Sequence, residues 1–346
     1  MIKYFLRRLA VIIPTLLGIT LVVFVIINMA PGGPIEQKLQ AMRFGSGGGG
    51  PDTQSKVSNR GGTQGVSDEI LEALKKQYGF DKPLHERYMI WLKNIVTLNF
   101  GESFTYEEPV LDVITSKFPV SLQFGIISLF LSYLVSIPLG IFKAVRKGGA
   151  FDMISSMMLF IFYSIPPFML AILLIVVFSG GSFFELFPVG GLHSEFYDEL
   201  SLWEKVLDRA HHFTLPLICY TIGSFTSLTI LMKNSLIEEI KKDYIRTARA
   251  KGLSEKTVYM KHAFKNALIP IVTGLGGFLS VFFAGSLLLE TIFQLEGIGL
   301  LGYKSVLSRD YNVIMGLVFI QSVLFLIGNV LSDIAYVLVD PRIDFK

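Results

Sequence analysis

Leu9-Ala-Val-Ile-Ile-Pro-Thr-Leu-Leu-Gly-Ile-Thr-Leu-Val-Val-Phe-Val-Ile-Ile-Asn-Met-Ala30 runs for 22 residues without a charge, behind Lys3, Arg7 and Arg8. A helix rises about 1.5 Å per residue, so about 20 apolar residues cross a hydrocarbon core of about 30 Å. Secretory signals carry a shorter apolar run, about 7–15 residues, and Asn28-Met-Ala-Pro31 is a poor cleavage site, so the segment is expected to stay as a membrane helix. Five further stretches pass the same test: Val120–Phe142, Met153–Phe178, Phe213–Met232, Leu268–Leu289 and Val313–Leu338. Each hides its peptide groups inside one helix, as the bilayer requires. The expected fold is all-α: a polytopic membrane protein with six transmembrane helices.

The composition agrees. Of 346 residues 51% are hydrophobic and 17% charged, against about 25% charged in a soluble chain, and the mean hydropathy is +0.55. A single cysteine excludes an internal disulfide framework and a Cys-rich metal site. A net charge of +3, spread along the chain, gives no footprint for nucleic acid.

Lys and Arg in the short loops set the orientation. With the N-terminus inside, the inner segments 1–8, 143–152, 233–267 and 339–346 carry 17 Lys/Arg, whereas the outer loops 179–212 and 290–312 carry 4. Both termini are therefore expected in the cytoplasm. The chain divides into an N-terminal transmembrane helix (1–30), an external loop (31–119), a five-helix core (120–338) and a tail (339–346). In the external loop, 45–65 is Gly-rich and polar, too poor in apolar surface to offset its ordering entropy. Amphipathic helices are expected after Ser67, over Leu84–Ile95, and from Pro109 to Phe118. They either cover the membrane surface or dock a soluble partner.

The internal segment 233–267 holds nine Lys/Arg and four Asp/Glu. Within it, Asp243-Tyr-Ile-Arg-Thr-Ala-Arg-Ala-Lys-Gly252 reads as a helix stopped by Gly252, and Ser254 caps a second helix. From composition alone this is either a topogenic basic loop or a rigid elbow that binds a partner.

Asp243–Gly252, followed by His262-Ala-Phe-Lys-Asn-Ala-Leu-Ile-Pro270, resembles the coupling loop of ABC-importer permeases of the dipeptide/oligopeptide class. Arg246, Thr247, Ala248 and Gly252 match that class's Arg-Thr-Ala-xxx-Gly pattern; the wider superfamily has Glu where Arg246 stands. Met29-Ala-Pro-Gly-Gly-Pro34, Tyr78-Gly-Phe-Asp-Lys-Pro83, Asn99-Phe-Gly-Glu-Ser103 and the ending Ser332–Ile343 also resemble segments of that class. Within it, 45–65 and Asp340-Pro-Arg-Ile-Asp-Phe345 are most similar to the B-type permeases of Yej systems, associated with oligopeptides and microcin C. The resemblance implies a type I importer permease in the inner membrane of a Gram-negative bacterium. Implied partners are a second homologous permease, two cytoplasmic ATP-binding domains that hold ATP and Mg, and a periplasmic peptide-binding protein; this chain would bind no cofactor. Tyr244, Arg246, Thr247, Ala248, Arg249, Ala250, Gly252 and Pro270 would form the ATPase-coupling loop. Small Ala248 and Ala250 would allow close approach, and Arg246 and Arg249 would bond acidic groups of the ATPase.

Gly297-Ile-Gly-Leu-Leu-Gly302 spells a dinucleotide fingerprint but lacks the βαβ setting, and Tyr303 stands where a phosphate loop needs Lys. The resemblance places Gly297, Gly299, Gly302 and Asp310 in a loop at the outer mouth instead. His211 and His212 are neighbours whose side chains diverge on a helix, so metal ligation is not expected. Asn329 and Asp333 share a face of the last span. Asp333 is either an interfacial acid paired with a base such as Lys233, or a pathway or gate residue. A stand-alone ion-coupled transporter would show inverted repeats and several midplane acids, and an intramembrane hydrolase a catalytic pair; neither pattern is present in the sequence.

Overall fold

A computed structural model of the chain describes residues 2–29, 81–180, 183–274 and 285–339. The expected excursion 45–65, the helix after Ser67, the chain from Ala30 to Pro34 and the tail beyond Val339 lie outside them. The helices are α1 (Ile2–Met29), α2 (Leu84–Val96), α3 (Val110–Val145), α4 (Ala150–Ser164), α5 (Pro167–Phe178), α6 (Leu202–Ile240) and α7 (Asp243–Ala250). They continue with α8 (Glu255–Thr257), a π-helical turn Val258–Ala263, α9 (Phe264–Ala267), α10 (Ile269–Gly274), α11 (Leu287–Ile292), α12 (Ile298–Leu307) and α13 (Tyr311–Val339). Among the described residues the extended pairing is one isolated bridge, Glu102 to Pro109.

Among the described residues four stretches are long and apolar enough to cross a bilayer: Ala10–Met29, Val110–Val145, Leu202–Ile240 and Tyr311–Leu331. The stretch expected as the third span is broken. Its halves α4 and α5 meet at 98° across Ile165-Pro166. Pro167 opens α5 at its first turn, where the missing N–H costs nothing, and Pro166 holds Ile165 in an extended conformation. Counted as one span, the pair brings the total to five. Of the fifth expected span, Leu268–Leu289, residues 275–284 fall outside the described chain. The helix expected over Pro109–Phe118 as a lead into the membrane is the opening of α3, continuous over 36 residues.

Contacts divide the chain into two units. The first comprises Met1–Ile12, Lys117–Leu301 and Val323–Lys346. One of its cores gathers Phe124, Leu170, Phe213, Cys219, Leu289 and Phe293, with the Phe124 and Phe213 rings 4.5 Å apart. Cys219 packs there as an apolar side chain. A second core joins the end of α6 to the segment after it.

The second unit comprises Ile13–Ser116 and Gly302–Ser322. Here the apolar side of α2 meets aromatic partners. The Tyr88 hydroxyl donates to the Leu17 carbonyl at 3.1 Å and lies 2.9 Å from Thr20 Oγ1, and Trp91 sits edge-on to Phe319 at 6.2 Å.

Candidate functional site

The segment after α6 is an elbow with one face locked inward. Ile245 and Ala248, one turn apart on α7, are buried with Met232 and Leu236 of α6, Val258 of the π-helical turn and Ala263. The i, i+3 spacing of the apolar pair creates this stripe. Asp243, Arg246, Thr247 and Ala250 lie exposed on the rest of α7. Ala248 therefore packs into the chain's own core and offers no surface for close approach, whereas Ala250 is exposed.

Three polar clamps fix the elbow. Glu239, near the end of α6, accepts from Lys242 Nζ and from the Tyr244 hydroxyl, both at 2.5 Å. Asn266 Nδ2 donates to that hydroxyl at 3.0 Å. Burial, reinforced by the Glu239 carboxylate, pushes the Tyr244 phenol up to about 12. Arg249 forms a two-pronged pair with Glu255 at 2.8 and 3.1 Å. That pair raises the guanidinium pKa and lowers that of the Glu255 carboxyl. Arg249 is thus engaged within the chain, while Arg246 makes an open contact with Asp243 at 3.2 Å. Gly252 has φ +77°. Its N–H donates to Arg249 O at 2.9 Å and the Leu253 N–H to Ala248 O at 3.4 Å, the paired bonds of a Schellman stop. Ser254 Oγ caps the next turn through the Thr257 N–H. Pro270 is the second residue of α10, another position that needs no N–H.

The glycine-rich segment holds the chain's own carboxylate. Glu290 of α11 is 1% exposed. It accepts from the Ser121 hydroxyl at 3.0 Å and the Leu300 N–H at 2.6 Å, and Ser121 Oγ accepts from the Ile298 N–H at 2.8 Å. A Cβ at Gly297 would lie 2.3 Å from Glu290 Oε1, and one at Gly299 would strike the backbone of Gly285. The fingerprint spacing therefore makes room for an internal carboxyl group at the start of α12. Glu290 was missed from sequence because it lies one residue beyond an apolar stretch; the signal was an acid at that edge seven residues before a glycine cluster.

In the second unit, Gly302 lies on α12 against Leu317, and Asp310 is fully buried. Asp310 accepts from the Ser103 hydroxyl at 2.5 Å, the Thr105 N–H at 3.0 Å and the Val313 N–H at 3.3 Å. Asn99–Ser103 and Arg309-Asp-Tyr311 are thereby parts of one knot. Ser103→Ala should lower stability by about 1–3 kcal/mol, the cost of an unmet buried acceptor, measured as a drop in the unfolding midpoint in detergent.

Asp333 pairs with Arg8 at 2.8 Å. The expected partner Lys233 lies instead on Asp152, 2.6 and 2.8 Å from its two oxygens. Helix packing decides which acid each base meets. Asn329 is half-buried on α13, one turn from Asp333.

The sequence profile of the binding-protein-dependent transport system inner membrane component matches residues 136–345. The chain belongs to this family. It is a multi-pass permease of the inner membrane. The permease is 45% identical over 360 residues to the peptidoglycan transport system permease protein YejB of Agrobacterium fabrum, covering 99% of this chain and 98% of that protein. It is likewise 45% identical over 359 residues to the inner membrane ABC transporter permease protein YejB of Escherichia coli O157:H7, covering 99% of each. Identity to the oligopeptide transport system permease protein AppB of Bacillus subtilis is 34% over 346 residues, the full length of both.

Proposed function

We propose that this permease is one of two membrane subunits of an ATP-driven importer of peptides, forming half the pathway and coupled to partner ATPases through α7. The observation that carries the coupling role is the two-sidedness of α7. Its inner face is fixed to α6 by Ile245 and Ala248, while Arg246, Thr247 and Ala250 are left for a partner. A displacement applied to that face reaches α6, a 39-residue helix about 58 Å long. The Lys/Arg bias supports placing the elbow and both termini in the cytoplasm, where ATP is available. ATP and Mg would be held by two partner domains and none by this chain, whose glycine segment is already filled by Glu290. A second homologous permease would complete the pathway, and a periplasmic binding protein would deliver the cargo.

The names of the relatives favour oligopeptides and peptide-bearing wall fragments as cargo; microcin C-like peptides share that chemistry. The test is a gentle-detergent pull-down of the tagged chain from its native membrane, followed by ATPase and peptide-uptake assays. Recovery of a second permease and an ATP-hydrolysing subunit is expected, with the subunit lost from an Arg246→Glu variant. A chain that purifies alone and takes up solute on an ion gradient without ATP would overturn the reading.

A further inference from the structure

Lys143 in the last turn of α3 is 0% exposed, an expensive place for a cation unless it is fully paired. Its Nζ donates to Ser155 Oγ and Ser156 Oγ, each at 2.7 Å, and to the Asp152 carbonyl at 3.0 Å. Nζ also lies 3.2 Å from Asp152 Oδ1. The Asp152 carboxylate takes the Gly148 N–H at 3.1 Å and both contacts from Lys233 of α6. One carboxylate thus ties together the end of α3, the start of α4 and the lower part of α6. The placement suits the helix dipoles: Lys143 stands at a C-terminal end and Asp152 in an N-terminal first turn.

This cluster adjoins the elbow core without being part of its outer face. Ala144, next to Lys143, and Met232, next to Lys233, both belong to the core that receives Ile245 and Ala248 of α7. One turn before Lys143 the two helices touch closely: a Cβ at Gly140 would lie 2.6 Å from Met232 Cβ and 2.9 Å from the Thr229 carbonyl. Helix α4 then leads to the 98° bend into α5. The Lys233 ammonium, on both oxygens of the Asp152 carboxylate, adds a charge-assisted tie between α4 and α6 to their apolar packing.

We propose that Asp152, Lys143 and Lys233 form the joint that passes movement of the α7 elbow to α3 and to the bent pair α4–α5. The three are positioning residues. The inference rests on the importer reading, and its function is to keep ATP hydrolysis and transport in step.

The test uses the whole complex, purified with its partners and reconstituted in proteoliposomes, with peptide uptake and ATPase activity measured together. Asp152→Asn strands the buried Lys143 and is prone to misfold. Lys233→Met is the informative variant, because it leaves the Lys143–Asp152 contact intact on a base that is itself partly exposed. Lys233→Met is expected to assemble with its partners and to hydrolyse ATP. Peptide moved per ATP should fall roughly tenfold, within the range of a typical coupling between sites, and Lys233→Arg should restore most of it. A merely structural role would lower both activities in proportion, or neither. An unchanged ratio of uptake to hydrolysis in Lys233→Met, with an unmodified complex that works normally, overturns the joint alone. An unmodified complex that imports peptide without ATP overturns the importer reading and the joint with it.

Discussion

Gly297→Val should leave little folded permease in the membrane. Already the first side-chain carbon at this position would lie 2.3 Å from Glu290 Oε1, 2.5 Å from its Cδ and 2.6 Å from Ser121 Oγ. None of these atoms has room to yield, because Glu290 and Ser121 are both buried and bonded to each other and to the start of α12. Driving the carboxyl group off its donors leaves buried polar atoms unmet, at about 1–3 kcal/mol each, out of a total stability of about 5–15 kcal/mol. Membrane-fraction yield and the unfolding midpoint in detergent measure the loss. Glu290→Gln keeps the size of the side chain and an oxygen acceptor, and should fall between Gly297→Val and the unmodified chain. Normal yield and midpoint for Gly297→Val would show that the carboxylate does not occupy the glycine segment.

That prediction marks where the sequence was informative and where it stopped. Counting apolar residues found the long spans because crossing length depends on local composition alone. Helix α2 was legible for a similar reason: Leu84, Tyr88, Trp91 and Ile95 repeat at helical spacing. Two consecutive prolines kink a helix by local chemistry, but the 98° turn at Pro166-Pro167 depends on what α5 packs against, which no local pattern records. The elbow was legible down to its stop, since Gly252 and Ser254 are short-range signals. The inward turn of Ala248 was available from its spacing to Ile245, yet Ala248 and Ala250 look alike until one face is assigned to a core. Long-range ion pairs were beyond reach. Lys233 could be matched with Asp333 by depth, but selection among Asp152, Asp333 and Arg8 is made by the order in which helices pack. Glu290 was hidden for a related reason, because an acid beside an apolar stretch becomes a buried hub only when distant hydroxyls and N–H groups converge on it.

Gly252→Val should cut transport severely while leaving the permease in the membrane at near-normal level. The strain is local. Gly252 holds φ +77°, and a side-chain carbon placed there would meet nothing of this chain within 4 Å. The cost is therefore that of left-handed backbone, about 1–2 kcal/mol for an ordinary residue and more for a β-branched one. A loss of that size is small against the stability of the whole chain, but it falls on one turn. The cheapest relief is to undo the bonds from Gly252 and Leu253 to Arg249 and Ala248. Doing so unwinds the end of α7 and pulls Arg249 from Glu255, so the face carrying Arg246 and Ala250 loses its fixed direction. Uptake in reconstituted vesicles should fall by roughly tenfold or more, the scale of a typical coupling free energy. Gly252→Asn separates the two causes that glycine can serve, because asparagine accepts left-handed backbone at low cost. Uptake retained in Gly252→Asn and lost in Gly252→Val assigns the requirement to backbone handedness. Uptake lost in both assigns it to the missing side chain itself, and hence to a partner surface seated directly on the elbow's tip.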